Sequence, residues 1–219
     1  MKEREGFTLA ELVLSVFIFS FIAASLATIV ATTNRHVFQS YRKNIVKTNV
    51  LLAMKKVQNN LSMATRVDLP APGTSGNVLA FAVNVDKALP DGSGCYPITI
   101  AAPASWHYFC LQNGSLYYFT GNIAYNNATA CGAAGAFPWA PAYAAPGGCS
   151  AGEKLVENVV PMLTGTTVFS RHSNDNVREA DIVRVLIRSQ WIAANAGLGK
   201  NQRDVDFRLD TAVRFNCAK

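Results

Sequence analysis

From Phe7 to Val30 the chain runs for 24 residues without a Lys, Arg or Asp and with a single Glu, Glu11. At 1.5 Å per residue a helix of that length covers about 36 Å, enough to cross the roughly 30 Å hydrocarbon core of a bilayer. The chain is thereby divided into an anchor and a remainder that must fold in water. Lys2 and Arg4 precede the run, and the positive-inside tendency places the N-terminus in the cytoplasm, although Glu3 and Glu5 dilute that signal and Arg35 sits just past the far end. Glu11 is the informative residue, because an ionised carboxylate near lipid costs on the order of 2.5 kcal/mol or more and needs a partner. A conventional secretory signal has no role for an acid in its apolar region, and it is cut after that region rather than before it.

With 219 residues and 23.6 kDa, the chain has room for one globular head beside the anchor and not for two large domains. The 50% hydrophobic content reflects the concentrated opening segment. A net charge of +6 fits anionic partners, nucleic acid or lipid headgroups, and does not choose between them.

Beyond Val30 the pattern becomes amphipathic. Val46, Val50, Ala53, Val57, Leu61 and Ala64 recur at spacings of three or four, which is one face of a helix. Lys43, Lys47, Lys55 and Lys56 mostly fall off that stripe, so the helix lays an apolar face on the head and offers a basic one to water. A single helix from Phe7 to about Ala64 would measure roughly 87 Å. The Asp68-Leu69-Pro70-Ala71-Pro72-Gly73 stretch then stops it.

Downstream the period changes to two. Val78 to Val85 reads as a strand, and Trp106 to Gln112, Asn113-Gly114 and Ser115 to Thr120 read as a hairpin on a type I′ turn. Pairing across that turn sets Leu111 opposite Leu116 and Phe109 opposite Tyr118, core-packing pairs rather than a base-stacking platform. Regular structure returns at Lys154 to Pro161 and at Thr166 to Ser170. In Ile182 to Arg188, Val183, Val185 and Ile187 share a face. In the last strand Val205, Phe207, Leu209, Thr211, Val213 and Phe215 lie on the core side, with Asp206, Arg208, Asp210, Ala212, Arg214 and Asn216 on the solvent side. Between these parts, 20 of the 32 residues from 121 to 152 are Ala, Gly or Pro, a long loop with apolar tips at Phe137, Trp139 and Tyr143.

The five cysteines show no C-x-x-C spacing, which argues against a zinc or thioredoxin-like site. With the head outside the cytoplasm, disulfides are expected. Cys131 with Cys149 is the first expectation, since both flank the loop, and Cys95 with Cys110 the second, leaving Cys217 single. No G-x-S-x-G, H-E-x-x-H, Walker A or G-x-G-x-x-G arrangement is present, and His36, His107 and His172 lie far apart. Asp175, Glu179 and Asp181 form an acidic group without EF-hand spacing. Neither an enzyme, a cofactor nor a metal site is expected.

The string Gly6-Phe7-Thr8-Leu9-Ala10-Glu11-Leu12, after a short charged leader and before the apolar run, resembles the cleavage and methylation motif of type IV prepilins and pseudopilins. The resemblance implies cutting after Gly6 by a prepilin peptidase, N-methylation of Phe7, and a role in subunit assembly for Glu11. It further implies an α+β fold, a long N-terminal helix packed on an antiparallel β-sheet head. The implied organisation is a leader at 1–6, a transmembrane part of the helix at 7–30, an amphipathic part at 31–66 and a periplasmic head at 67–219. The Tyr-rich hairpin, Leu155-Val156-Glu157-Asn158-Val159 and Val213-Arg214-Phe215-Asn216 are similar to the minor pilin W and J-type pseudopilin group, although the large loop departs from that pattern. Implied partners are the inner membrane and other pilins or pseudopilins through the N-terminal helix. A binding module for DNA or a surface, displayed on a filament, is the alternative.

Overall fold

A computed structural model describes residues 8–84, 104–123, 147–161, 167–172, 182–192 and 204–215. Outside them lie the 1–6 leader, Gly6, Phe7, Cys95, Cys131 and Cys217. The loop tips Phe137, Trp139 and Tyr143 and the acids Asp175, Glu179 and Asp181 lie outside them too. The first helix, α1 (Leu9–Ser62), contributes to two compact units, Met1–Lys43 and Asn44–Lys219.

In the first unit the apolar run is helical, and its large side chains, Leu9 to Tyr41, are all at least half exposed. The hydroxyls of Ser15, Ser20, Ser25, Thr28 and Thr32 donate to carbonyls three or four residues back, at 2.6 to 2.9 Å. A helix in hydrocarbon has to satisfy its polar groups in this internal way.

In the second unit the expected stripe is the core face of α1: Val46, Val50, Ala53, Val57 and Leu61 are buried, and Met54 joins them. Burying an aliphatic side chain of this size contributes about 1.5–3 kcal/mol. The helix stops at Ser62, short of the expected end at 66, and Ala64, anticipated on the helical stripe, is instead a buried strand residue. β1 (Ala64–Leu69) takes over there by pairing antiparallel with β3 (Val78–Val83), and the β-branched Thr65 and Val67 suit that conformation.

The first sheet has the order β1-β3-β4-β5-β6, with β4 (Ala104–Gln112), β5 (Ser115–Ile123) and β6 (Glu153–Val156), all pairs antiparallel. The hairpin forms as expected. Asn113 (φ 50) and Gly114 (φ 71) both occupy the left-handed region that a type I′ turn requires, and Leu111 pairs with Leu116 and Phe109 with Tyr118. One face of this sheet, carrying Leu79, Phe81, Phe109, Leu116 and Tyr118, packs into the core with α1. The opposite face carries a second buried cluster of Ala80, Ala82, Trp106, Tyr108 and Cys110.

The second sheet has the order β2-β7-β8-β9: β2 (Ser75–Gly76), β7 (Phe169–Arg171), β8 (Ile182–Ile192) and β9 (Asp204–Arg214). Val183, Val185 and Ile187 are buried, and the odd-numbered positions of β9 from Val205 to Val213 face inward while its even positions from Asp206 to Arg214 are exposed. On the outer face Arg188 stands directly opposite Arg208, a repulsive register in isolation. Each side chain turns to a carboxylate instead, Arg188 diagonally across the ladder and Arg208 along its own strand. Arg188 pairs with Asp206, Arg208 donates to Asp210 at 3.2 Å, and Arg184 makes two bonds to Asp210 at 2.9 and 2.6 Å. The sheets are tied by the Val159–Ser189 bridge and by Arg171 Nη1 donating to Val67 O at 2.8 Å.

Candidate functional site

The chemistry of Glu11 begins with its position three residues after Thr8, at the start of α1. Thr8 N and Thr8 Oγ1 donate to Glu11 Oε2 at 3.0 and 2.9 Å, and Glu11 N donates to Thr8 Oγ1 at 3.4 Å. This is a capping box, in which a Thr and a Glu at T-x-x-E spacing satisfy backbone donors that the first helical turn leaves open. The carboxylate is thus fixed close to the helix start, one oxygen engaged and the side chain exposed. The T-x-x-E spacing is legible in the sequence and would have given Glu11 this local role beside its expected one in assembly. Gly6 and Phe7, the expected cleavage and methylation positions, lie outside the described residues.

The surface that follows Glu11 is apolar and uncovered. Phe17, Phe19 and Phe21 are about 70% exposed, and no part of the most apolar window is buried within the chain. One helix is therefore long and apolar enough to cross a membrane. An exposed apolar surface of this extent is suited to contact with lipid or another helix.

In the head, Cys110 on β4 is bonded to Cys149, which opens a short 3-10 turn (Cys149–Ala151), with Cα atoms 6.0 Å apart. This corrects both expected pairings, since Cys149 is not joined to Cys131 nor Cys110 to Cys95. The reason is positional: Ser150 N donates to Gln112 Oε1 at 3.1 Å, and Gly152 fits against the Phe119 ring, which together bring the end of the long loop onto β4 and β5. A Cβ at Gly152 would lie 2.6 Å from Phe119 Cε2 and 2.9 Å from Tyr118 O, so the close approach requires glycine.

Two buried polar groups were not anticipated. His107 on β4 is 8% exposed, stacks on Phe81 at 5.0 Å, and has Nδ1 2.8 Å from Tyr118 Oη and Nε2 3.3 Å from Ser105 Oγ. Burial pulls its pKa down to about 4. Tyr118 in turn meets α1: Asn60 Nδ2 lies 3.5 Å from its hydroxyl, and Lys56 Nζ sits 4.4 Å over its ring while reaching Glu153 at 2.5 Å. The signal for this cluster was the hairpin register, which makes His107 and Tyr118 diagonal neighbours. The second group is Asp68, whose carboxyl burial pushes up in pKa against the opposing effects of Arg66 and Arg171. Arg66 Nε donates to its Oδ1 at 2.8 Å, and Oδ2 has no hydrogen-bond partner among the described residues. His107 joins β4 to β5 through Tyr118, whereas Asp68 is held by Arg66 on its own strand.

Compared with protein-family models, curated proteins and solved structures, the chain matches none of them.

Proposed function

We infer that this chain is a minor pilin or pseudopilin, a structural and assembly-priming subunit of a type IV pilus or type II secretion filament. The observation that carries the reading is the helix from Leu9 to Tyr41, whose large apolar side chains are exposed, directly after a Gly6-Phe7 junction and opening on Glu11. Such a surface suits two successive environments, lipid while the subunit waits and neighbouring helices once it is incorporated. The charge of Glu11 then finds its partner in the amine that cleavage would create at Phe7, its own or a neighbour's. The α+β head, gripping the second part of the same helix, fits this reading.

Topology rests on the cysteines more than on the flanking charges. Lys2 and Arg4 before the span are the basis of the cytoplasmic N-terminus expected from the sequence, but Arg35, Arg42, Lys43 and Lys47 follow it, so a count extended to the far side opposes that orientation. A disulfide between Cys110 and Cys149 belongs in an oxidising compartment, which supports a periplasmic head. The alternative of a displayed module that binds DNA is favoured by those same cations.

The test is co-expression with a prepilin peptidase followed by N-terminal mass analysis. The expected product begins at Phe7 and carries one methyl group on its amine. An intact Met1, or a start near Ala31, would overturn the reading.

A further inference from the structure

The cations that follow the span oppose the topology just proposed, so they need a role of their own. No Asp or Glu occurs between Glu11 and Asp68, and this acid-free stretch holds Arg35, Arg42, Lys43, Lys47, Lys55, Lys56 and Arg66. Three of them, Arg35, Arg42 and Lys43, fall in the first unit within nine residues of one another, all on α1. Arg35 and Lys43 are exposed and Arg42 is half-buried. Interleaved with them, Phe38 and Tyr41 are 63% and 64% exposed.

Their spacing from Glu11 matches a bilayer. Arg35 lies 24 residues after Glu11, about 36 Å along a helix, against a hydrocarbon core of roughly 30 Å and a headgroup layer of about 5–7 Å on each side. With Glu11 at one boundary, Arg35 therefore reaches the headgroup layer of the other. Lys43 follows about 12 Å further on, near one Debye length at ordinary ionic strength, and the flexible stems of Arg and Lys can reach back toward phosphate. Phe38 and Tyr41 follow Arg35 by about 4.5 and 9 Å along the helix, within side-chain reach of the interface where Tyr is enriched.

We propose that Arg35, Arg42 and Lys43, with Phe38 and Tyr41, form a headgroup-binding collar that holds anionic phospholipid at the membrane surface from which the head emerges. The proposal rests on the membrane reading above. It assigns the basic residues to lipid phosphate rather than nucleic acid because they directly adjoin the apolar span, where phosphates stand at high density.

The full chain is reconstituted in phosphatidylcholine vesicles containing trace spin-labelled phosphatidylglycerol or spin-labelled phosphatidylcholine, and the motionally restricted fraction of each lipid is read by electron paramagnetic resonance. At low salt the anionic lipid should associate at least about five-fold more strongly, the equivalent of one basic contact at a membrane surface, and 0.5 M NaCl, which shortens the Debye length to about 4 Å, roughly half its value at ordinary ionic strength, should largely abolish the preference. The variant Arg35→Gln/Arg42→Gln/Lys43→Gln should lose the preference while Lys55→Gln keeps it, and flotation with the vesicles together with an intact Cys110–Cys149 bond shows that the variant is inserted and folded. Equal association of both lipids by an inserted wild-type chain would overturn the collar and leave the membrane reading standing. Failure to float would overturn the membrane reading itself. Salt-sensitive binding of duplex DNA by the inserted chain, lost in the triple variant and unaccompanied by lipid preference, would assign the cations to nucleic acid instead.

Discussion

His107 Nδ1 lies 2.8 Å from the hydroxyl of Tyr118, and this contact joins two strands of the hairpin at the point where Tyr118 also meets Asn60 and Lys56 of α1. The imidazole is neutral there, because burial lowers its pKa from 6.5 to about 4. Between these two values the unfolded chain binds the proton that the folded chain refuses, so stability falls as pH falls. The contribution is complete above about pH 6.5 and is lost progressively down to about pH 4. Denaturant unfolding in detergent at pH 7.5 and 4.5 should show a loss of about 2–3 kcal/mol assignable to this group. In His107→Gln, which cannot titrate, the pH-dependent loss should shrink by that amount. Identical pH slopes for the two proteins would contradict the assignment.

Glu11 has two separable roles, as a charge and as half of a capping box. Glu11→Gln keeps the box spacing and removes the charge. Thr8→Val keeps the charge and removes the hydroxyl cap, at a local cost of about 1 kcal/mol. Glu11→Ala removes both. If the charge sets the stagger of neighbouring helices, all three should still be cleaved, Glu11→Ala and Glu11→Gln should drop out of sheared filaments, and Thr8→Val should enter them. Normal incorporation of Glu11→Ala would remove Glu11 from assembly.

Peptide mapping without reductant should recover Cys110 joined to Cys149, and Cys149→Ser should lower stability by about 2–4 kcal/mol, the usual worth of closing a loop of this length. Recovery of Cys149 joined to Cys131 would reverse the assignment.

Gly152→Val should destabilise the head by about 1–3 kcal/mol, since its Cβ would collide with the Phe119 ring and the Tyr118 carbonyl and force both to shift. The backbone at Gly152 is ordinary extended chain (φ −79), so the cost is one of space. A Gly152→Val/Phe119→Leu pair should recover part of the loss in thermal unfolding, and no recovery would point away from the ring contact.

The parts of the fold legible in the sequence are those set by neighbours close along the chain. The stripe from Val46 to Leu61 follows from spacings of three and four, the Asn113-Gly114 turn from backbone chemistry, and the faces of β8 and β9 from alternation. What escaped depends on partners far away. Ala64 continues the helical spacing, but its pairing with Val83 makes it a strand residue, and no local pattern announces that exchange. Likewise Cys110 and Cys149 are 39 residues apart, and the bond follows from docking of the turn after the long loop onto β4. His107 and the T-x-x-E box at Thr8 are different cases, because register and spacing already contained them.

The stripe on α1 also determines how the head bears load. Val46, Val50, Ala53, Val57 and Leu61 are buried along one face of α1 in the second unit, so traction on the chain at Asn44 is shared among several buried side chains. A close-packed interior transmits such strain across many contacts at once, whereas a hairpin pulled from one end opens bond by bond. The head thus holds this helix by a row of buried contacts rather than by one.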